Sequence, residues 1–292
     1  MPTTTPEEQP AGQLAFEGMP RRLYPAYPSR LTTWLDCPRR FRFAYLDRPP
    51  PPKGPPWARN SLGASVHLAL AAWWRLPLNE RTTRAAARLL REVWLADGYR
   101  DAQQSAEIQA WAADMVEKYV AGLDPAHEPV GIERVVATRT EVIALSGRVD
   151  RIDQRGDELV VVDYKTGRHA LSVDDARGSL ALAAYALATE RTLRQRCRTV
   201  ELHHLPTGIV VEWTYPDGAL ERHLRRMEDI AAECMAAEES LSGGLDGSGL
   251  DRAFPPRVGP QCAWCDFARH CPEGARAFPA KLPWAGLPET HV

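Results

Sequence analysis

The stretch GRVDRIDQRGDELVVVDYKTG, residues Gly147 to Gly167, constrains this chain more than any other part of it. Arg155-Gly156 reads as a two-residue hairpin turn between two strands. That turn pairs Gln154 with Asp157 and sets Asp150 opposite Val161. Side chains alternate along a strand and opposed residues share a face, so Asp150, Val161, Asp163 and Lys165 point to one side. Asp163 becomes the diagonal neighbour of Asp150. The second strand, LVVVDYK, is apolar on both faces as far as Asp163, the pattern of a strand buried centrally in a mixed sheet. An exposed hairpin with a simple Asp–Lys ion pair would not need three consecutive valines. Two carboxylates ~5 Å apart repel by about 3 kcal/mol at an effective dielectric of roughly 20. A divalent cation reverses that sign. Oxygen ligands from two aspartates suit Mg²⁺ or Mn²⁺, and a lysine beside the ion can orient or deprotonate a water or stabilise developing phosphorane charge.

The rest of the chain supplies elements to enclose such a hairpin. Ser29 can cap a helix starting at Arg30, which Cys37-Pro38 interrupts and FRFAYL continues. A proline tract, Pro49 to Pro56, reads as a stiff connector. Apolar residues at 3–4 spacing predict helices over 61–76, 83–96 and 102–122. The period then changes, and strands are expected over 132–143, 147–153 and 159–165. A helix over 173–190, strands over 199–205 and 209–215, and a long helix over 218–241 complete the pattern. SGGLDGSG, residues 242–249, reads as a flexible linker. The expected fold is α/β, a mixed sheet flanked by helices. One domain spans 21–277, with a mainly helical part (29–125), a sheet core (130–241) and a cysteine-rich segment (250–277). Residues 1–20 are expected to be disordered and 278–292 to form a tail.

Six cysteines occur, at 37, 197, 234, 262, 265 and 271. Cys262, Cys265 and Cys271 form C-x2-C-x5-C, and Cys37 stands alone far upstream. No signal peptide opens the chain and no run of eighteen apolar residues could span a membrane, so a cytoplasmic protein is expected. In that compartment such cysteines speak for metal rather than disulfides. Zinc, held by the four cysteines or by three of them with His270, is one candidate. Cys197 and Cys234 read as ordinary buried thiols. The net charge of −2 gives no global basic field. Seven arginines nevertheless fall between Arg21 and Arg48 (21, 22, 30, 39, 40, 42, 48) against only Asp36 and Asp47. They are either a solvated surface or a phosphate-tracking arm. With only four lysines in the chain, Lys165 is the more informative base. No phosphate-cradling GxxxxGK[ST] loop is present, which excludes a helicase motor.

GRVDRID followed by VVVDYKTG resembles the core motif of RecB-like PD-(D/E)XK nucleases. The resemblance implies a metal-dependent DNA nuclease of repair or recombination, acting from ends on single strands. It implies that Asp150 and Asp163 hold the catalytic metal and that Lys165 is the catalytic lysine. His67, in GASVHLALAAWW, matches the family's upstream metal-site histidine. Glu133 matches an extra acidic residue one strand earlier, with Glu141 as competitor. The family's Q-x-x-x-Y motif on the following helix is incomplete: Tyr185 is present, but Ala181 stands at the glutamine position. One early cysteine and three late ones resemble the 4Fe–4S staple of AddB-type and CRISPR adaptation nucleases, implying Cys37, Cys262, Cys265 and Cys271 as ligands. Arg39, Arg40 and Tyr185 are the expected DNA contacts. A nuclease fold kept as a catalytically silent DNA-binding scaffold is the competing reading; four costly polar groups in one constellation argue against it.

Overall fold

The computed structural model describes residues 23–244 and 247–288. The expected disordered stretch 1–20, Arg21 and Arg22 lie outside these residues, as does the end of the expected tail, 289–292. A short strand β1 (Tyr24–Ala26) leads into helices α1 (Pro28–Asp36) and α2 (Pro38–Tyr45). Three longer helices follow: α3 (Ala58–Trp74), α4 (Thr83–Glu92) and α5 (Ala102–Ala121). Strands β2 (Gly131–Arg139), β3 (Ile143–Arg155) and β4 (Glu158–Lys165) then run antiparallel in sequence. Helices α6 (Val173–Gly178) and α7 (Leu180–Leu193) carry the chain to β5 (Thr199–His204) and β6 (Ile209–Thr214). Helices α8 (Ala219–Ser242), α9 (Gly247–Ala253) and α10 (Pro272–Ala277) end it.

The six strands form one mixed sheet in the order β1-β3-β4-β5-β6, with β2 on the other edge of β3. Alternation along β4 explains why it is apolar throughout. Leu159 and Val161 enter a core with α1, α7 and α8, whereas Val160, Val162 and Tyr164 enter a second core with α3, α4 and α5. Burial on both faces selects β-branched residues at successive positions. The early helices therefore cover one face of the sheet. No helix among the described residues is long and apolar enough to cross a membrane.

Several local expectations shift. Helix α1 starts two residues early, with Pro28 in its first turn and Tyr27 rather than Ser29 at the cap; proline's fixed φ suits that position. Ser179 caps α7, dividing what reads as one helix over 173–190. Its hydroxyl accepts the Leu182 N–H and ends α6. Helix α9 begins inside the expected linker 242–249. The segment after 277 packs against the body: the Pro283 carbonyl accepts the first N–H of α3 at 3.0 Å, and Leu287 is buried. Residues 140–142 turn the chain between β2 and β3, so the strand expected over 132–143 ends at Arg139, and the one expected over 147–153 begins earlier, at Ile143.

Candidate metal centre and cysteine cavity

The hairpin turn falls at Gly156-Asp157, one residue later than the sequence suggests. Arg155 pairs with Glu158 and Gln154 with Leu159. Gly156 adopts φ +63°, which glycine tolerates at the first turn position. Moving the turn by one residue slides the pairing by two. An even slip leaves every side chain on its face. The ladder between β3 and β4 stops at Arg151 opposite Val162. Continued by one step, the register sets Asp150 across from Asp163, directly rather than diagonally. The strands part there, and the Asp150 carboxylate replaces the missing ladder bond: its Oδ2 accepts the Tyr164 N–H at 2.9 Å.

Asp150 Oδ1 faces His67 Nδ1 at 3.1 Å, while His67 Nε2 lies 3.1 Å from the Tyr164 carbonyl oxygen. A carbonyl only accepts, so Nε2 carries the hydrogen. In the neutral ring Nδ1 is then a lone pair aimed at a carboxylate lone pair. Such a face is satisfied by a proton or by a metal cation, and a histidine donating its other N–H to a backbone carbonyl is the usual arrangement of a ligand. The register between β2 and β3 places Glu133 across from Asp150. Ligand atoms of His67, Glu133 and Asp150 all lie within 4.8 Å of one another, the one such group among the described residues. Ligands around an octahedral ion at ~2.1 Å sit roughly 3–4 Å apart, so this trio fits a single divalent cation. Glu141 stands exposed in the β2–β3 turn, outside the group.

Asp163 adjoins the trio, with its Oδ2 2.5 Å from Lys165 Nζ. Burial pushes the Asp163 carboxyl up, and the Lys165 charge only partly offsets it. Burial and then Asp150 push Glu133 up, against the pull of Arg148, whose Nε lies 2.9 Å away. For His67, burial favours the neutral ring, yet Asp150, Asp163 and Glu133 together hold its pKa above the usual value. All three shifts report excess negative charge in a poorly solvated place, and a divalent cation would relieve each of them. Tyr185 borders the same cleft, its pKa pushed up to about 12 by burial and then by Asp163 and Asp150. Its ring lies on Gly147: a Cβ there would fall 2.5 Å from Tyr185 Cε1. Sequence reasoning missed this role of Gly147, and missed the backbone of Tyr164 as the anchor of His67 and Asp150. The only trace of the second is the glycine, aspartate and lysine spacing around it.

The arginine cluster does not form an exposed arm among its described members. Arg39 is buried and its guanidinium is spent on Asp251 (2.8 Å) and Glu273 (2.7 Å), with Cys271 Sγ at 3.9 Å. It is therefore a brace for the cysteine segment and presents no free edge to a phosphate. Arg30 is likewise held by Glu238 and Tyr24, and Arg42 by Asp47. Arg40 reaches Asp36 at 3.7 Å and keeps a partly exposed side chain.

All four expected cysteines line one small cavity, together with Arg39, Arg40, Phe43, Phe267 and Gly274. All six cysteines are free thiols, and Cys197 and Cys234 are buried elsewhere in the core. The Arg257 N–H points at Cys37 Sγ at 3.5 Å. A Cβ at position 274 would lie 3.1 Å from Cys262 Sγ and 3.4 Å from Cys271 Sγ, so a larger residue there would crowd the sulfurs. No three of these sulfurs come within 4.8 Å of one another. Tetrahedral zinc, with bonds of about 2.3 Å, needs sulfurs roughly 3.8 Å apart. His270 is turned away, its Nε2 3.1 Å from the Pro52 carbonyl oxygen.

No curated protein matches the chain. Among solved structures, the crystal structure of SSO0001 is similar at 15% identity and a TM-score of 0.38, covering 88% of this chain and 90% of that one. A family profile described as PD-(D/E)XK nuclease superfamily matches residues 27–272. That match takes in the His67 helix, the hairpin and the cysteine segment alike, and the chain belongs to the PD-(D/E)XK nuclease superfamily.

Proposed function

We propose that the chain is a divalent-metal-dependent DNA nuclease of the RecB-like branch, acting from ends on single strands in repair or recombination. The observation that carries this reading is the lone-pair face between His67 Nδ1 and Asp150 Oδ1, with Glu133 in the same ligand group and the buried Asp163 carboxylate near enough to feel both the Asp150 and His67 charges. His67, Glu133, Asp150 and Asp163 would hold Mg²⁺ or Mn²⁺. A bound ion of this kind supplies Lewis acidity to the scissile phosphate and lowers the pKa of a coordinated water. The chain's own residues do the positioning. Tyr164 fixes the His67 tautomer and one Asp150 oxygen through its backbone. Asp163 holds the Lys165 ammonium, whose side chain is 45% exposed, and a lysine so placed can orient water or stabilise charge on the phosphate. Tyr185 and Arg40 remain the candidate substrate contacts from the sequence. Cys37, Cys262, Cys265 and Cys271, which line one cavity, would hold a 4Fe–4S cluster, for which four thiolates are the usual ligand set.

The test is digestion of end-labelled single and double strands with and without Mg²⁺. Wild-type protein should shorten single strands from an end. Lys165→Ala should lower the rate by about 10²-fold, as loss of one charge-stabilising donor does, while metal affinity persists. Wild-type protein that binds DNA without cutting it under any divalent metal would instead make the fold a scaffold. A Lys165→Ala protein that no longer binds metal would make the lysine structural.

A further inference from the structure

A second groove opens beside the metal cleft, displaced toward the N-terminal end of α3. Residues 63, 64 and 67 of α3 line the cleft, whereas Arg59, Asn60 and Leu62 line the groove. Its other walls are Trp111 of α5, Trp264 of the cysteine segment and the loop Thr166–His169. That loop is the direct continuation of Lys165. Its start is pinned, since the Leu205 N–H donates to the Lys165 carbonyl at 2.9 Å and His204 Nε2 lies 2.7 Å from the Gly167 carbonyl oxygen. Helix α3 and the loop close on each other between the two openings: a Cβ at Gly63 would sit 3.4 Å from Thr166 Oγ1. Eight residues of helix separate His67 from Arg59, about 12 Å.

The groove combines flat aromatic surface with positive charge, that of Arg59 partly offset by Asp266, which lies outside the groove lining. The Arg59 guanidinium stacks 4.1 Å from the centroid of Trp264, and Trp264 leans on Trp57 with centroids 5.4 Å apart. Among the described residues Arg59 makes no ion pair, and the nearby Asp266 carboxylate accepts the Trp57 indole N–H at 2.7 Å. Arg168 and His169 are exposed, and the described residues lining the groove include no carboxylate. Stacking faces alternating with arginines, and free of acid, suit a strand with unpaired bases and a phosphate backbone; a duplex hides its base faces.

We infer that this groove carries the single-stranded nucleic acid on the far side of the cut, with Trp264 and Trp111 as stacking platforms and Arg59 and Arg168 on phosphates. The inference rests on the nuclease reading for its direction but is tested without hydrolysis. Affinities of a labelled single-stranded trinucleotide and dodecanucleotide, and of a dodecamer duplex, are measured in EDTA at several salt concentrations. Trp264→Ala should weaken the single-stranded dodecamer about tenfold, and Trp264→Phe should restore most of it. Arg59→Ala with Arg168→Ala, both exposed side chains, should flatten the salt slope by about 1.4, two phosphates at roughly 0.7 each. The arginine pair decides the matter alone should Trp264→Ala fail to fold. Unchanged dodecamer affinity and slope would overturn the groove, as would an equal loss on duplex and single strand. Cleavage by wild-type protein, assayed separately, tests the metal site: its absence would sink the nuclease reading and leave this binding result standing.

Discussion

Glu133 is held at φ +48°, in the left-handed region that a β-strand residue with a side chain avoids. Backbone of this kind costs on the order of 1–3 kcal/mol and is kept where the surrounding structure forces it. Here the twist turns the carboxylate into a site already crowded by Asp150. Glu133→Gly should remove both the strain and part of the repulsion. Glycine's larger unfolded-state entropy returns about 0.5–1 kcal/mol of that gain. The variant should therefore resist urea better than wild type by about 1 kcal/mol in EDTA, and should lose most of the stabilisation that Mn²⁺ gives the wild type. An equal Mn²⁺ response in both proteins would remove Glu133 from the ligand set. At this scale the sequence displayed the carboxylates and the lysine openly, because burying them at the end of an apolar strand makes sense only around an ion. Arg39 was not legible: an arginine's partners lie more than 200 residues away in Asp251 and Glu273, and no local pattern marks a brace. The choice between Glu133 and Glu141 was equally closed, since it depends on which residue faces Asp150 across β3.

Strand β5 places Glu201 and His203 on the face of the sheet covered by α3, α4 and α5, His203 against Tyr119 and Tyr164. His203 Nε2 lies 2.9 Å from Glu201, its Nδ1 2.7 Å from the Tyr119 hydroxyl, and Arg155 reaches Glu201 at 2.7 Å. The network continues through Arg151 to the hydroxyl of Tyr164 at 3.3 Å. It thus supports the residue whose backbone anchors His67 and Asp150. Burial works to raise the Glu201 pKa, but His203 and Arg155 prevail and bring it from 4.5 down to about 2. The folded state then binds the proton less readily than the unfolded state. Its contribution is full above pH 4.5 and disappears as the pH falls through 2. A shift of that size corresponds to about 3 kcal/mol. Glu201→Gln should lower stability at neutral pH and flatten the acid decline, read as urea midpoints between those two pH values. A decline as steep as wild type would place the acid sensitivity elsewhere. Strands β2 to β6 were legible, whereas β1, three residues long and paired only with Ile143–Leu145, was not; the shared face of Asp150, Asp163 and Lys165 was. Their register was not: Arg155-Gly156 and Gly156-Asp157 are both acceptable turns, and only the positive φ of Gly156 at the first turn position separates them.

Across the whole molecule, the segment around α1 and α2 meets the cysteine segment more than 200 residues later. Cys37, between α1 and α2, shares a cavity with Cys262, Cys265 and Cys271, 225 residues later in sequence at the nearest. Arg39 spans the same junction to Asp251 and Glu273. The Gly54 N–H donates to the Asp266 carbonyl at 2.8 Å, so the proline connector is fastened there too. A crosslink that closes ~100 residues removes unfolded-state entropy worth about 4–5 kcal/mol, and the cost of closure rises only logarithmically beyond that. A metal-thiolate group at this junction would act in the same way. Because Trp264 lies between two of the cysteines, fixing the junction also fixes one wall of the groove beside α3. With the proposed cluster in place, anaerobically purified protein should be coloured and contain iron and sulfide. Cys37→Ser should lose the colour and several kcal/mol of that loop-closure stability, moderated by the Arg39 ion pairs that remain. Cys197→Ser, at a thiol buried away from the cavity, should keep the colour. Cleavage by the Cys37→Ser protein at low temperature, where it stays folded, should persist, because His67, Glu133, Asp150 and Asp163 do not touch the cysteine cavity. Zinc without iron in the anaerobic protein would replace the cluster and leave the crosslink; full colour in Cys37→Ser would remove Cys37 from it.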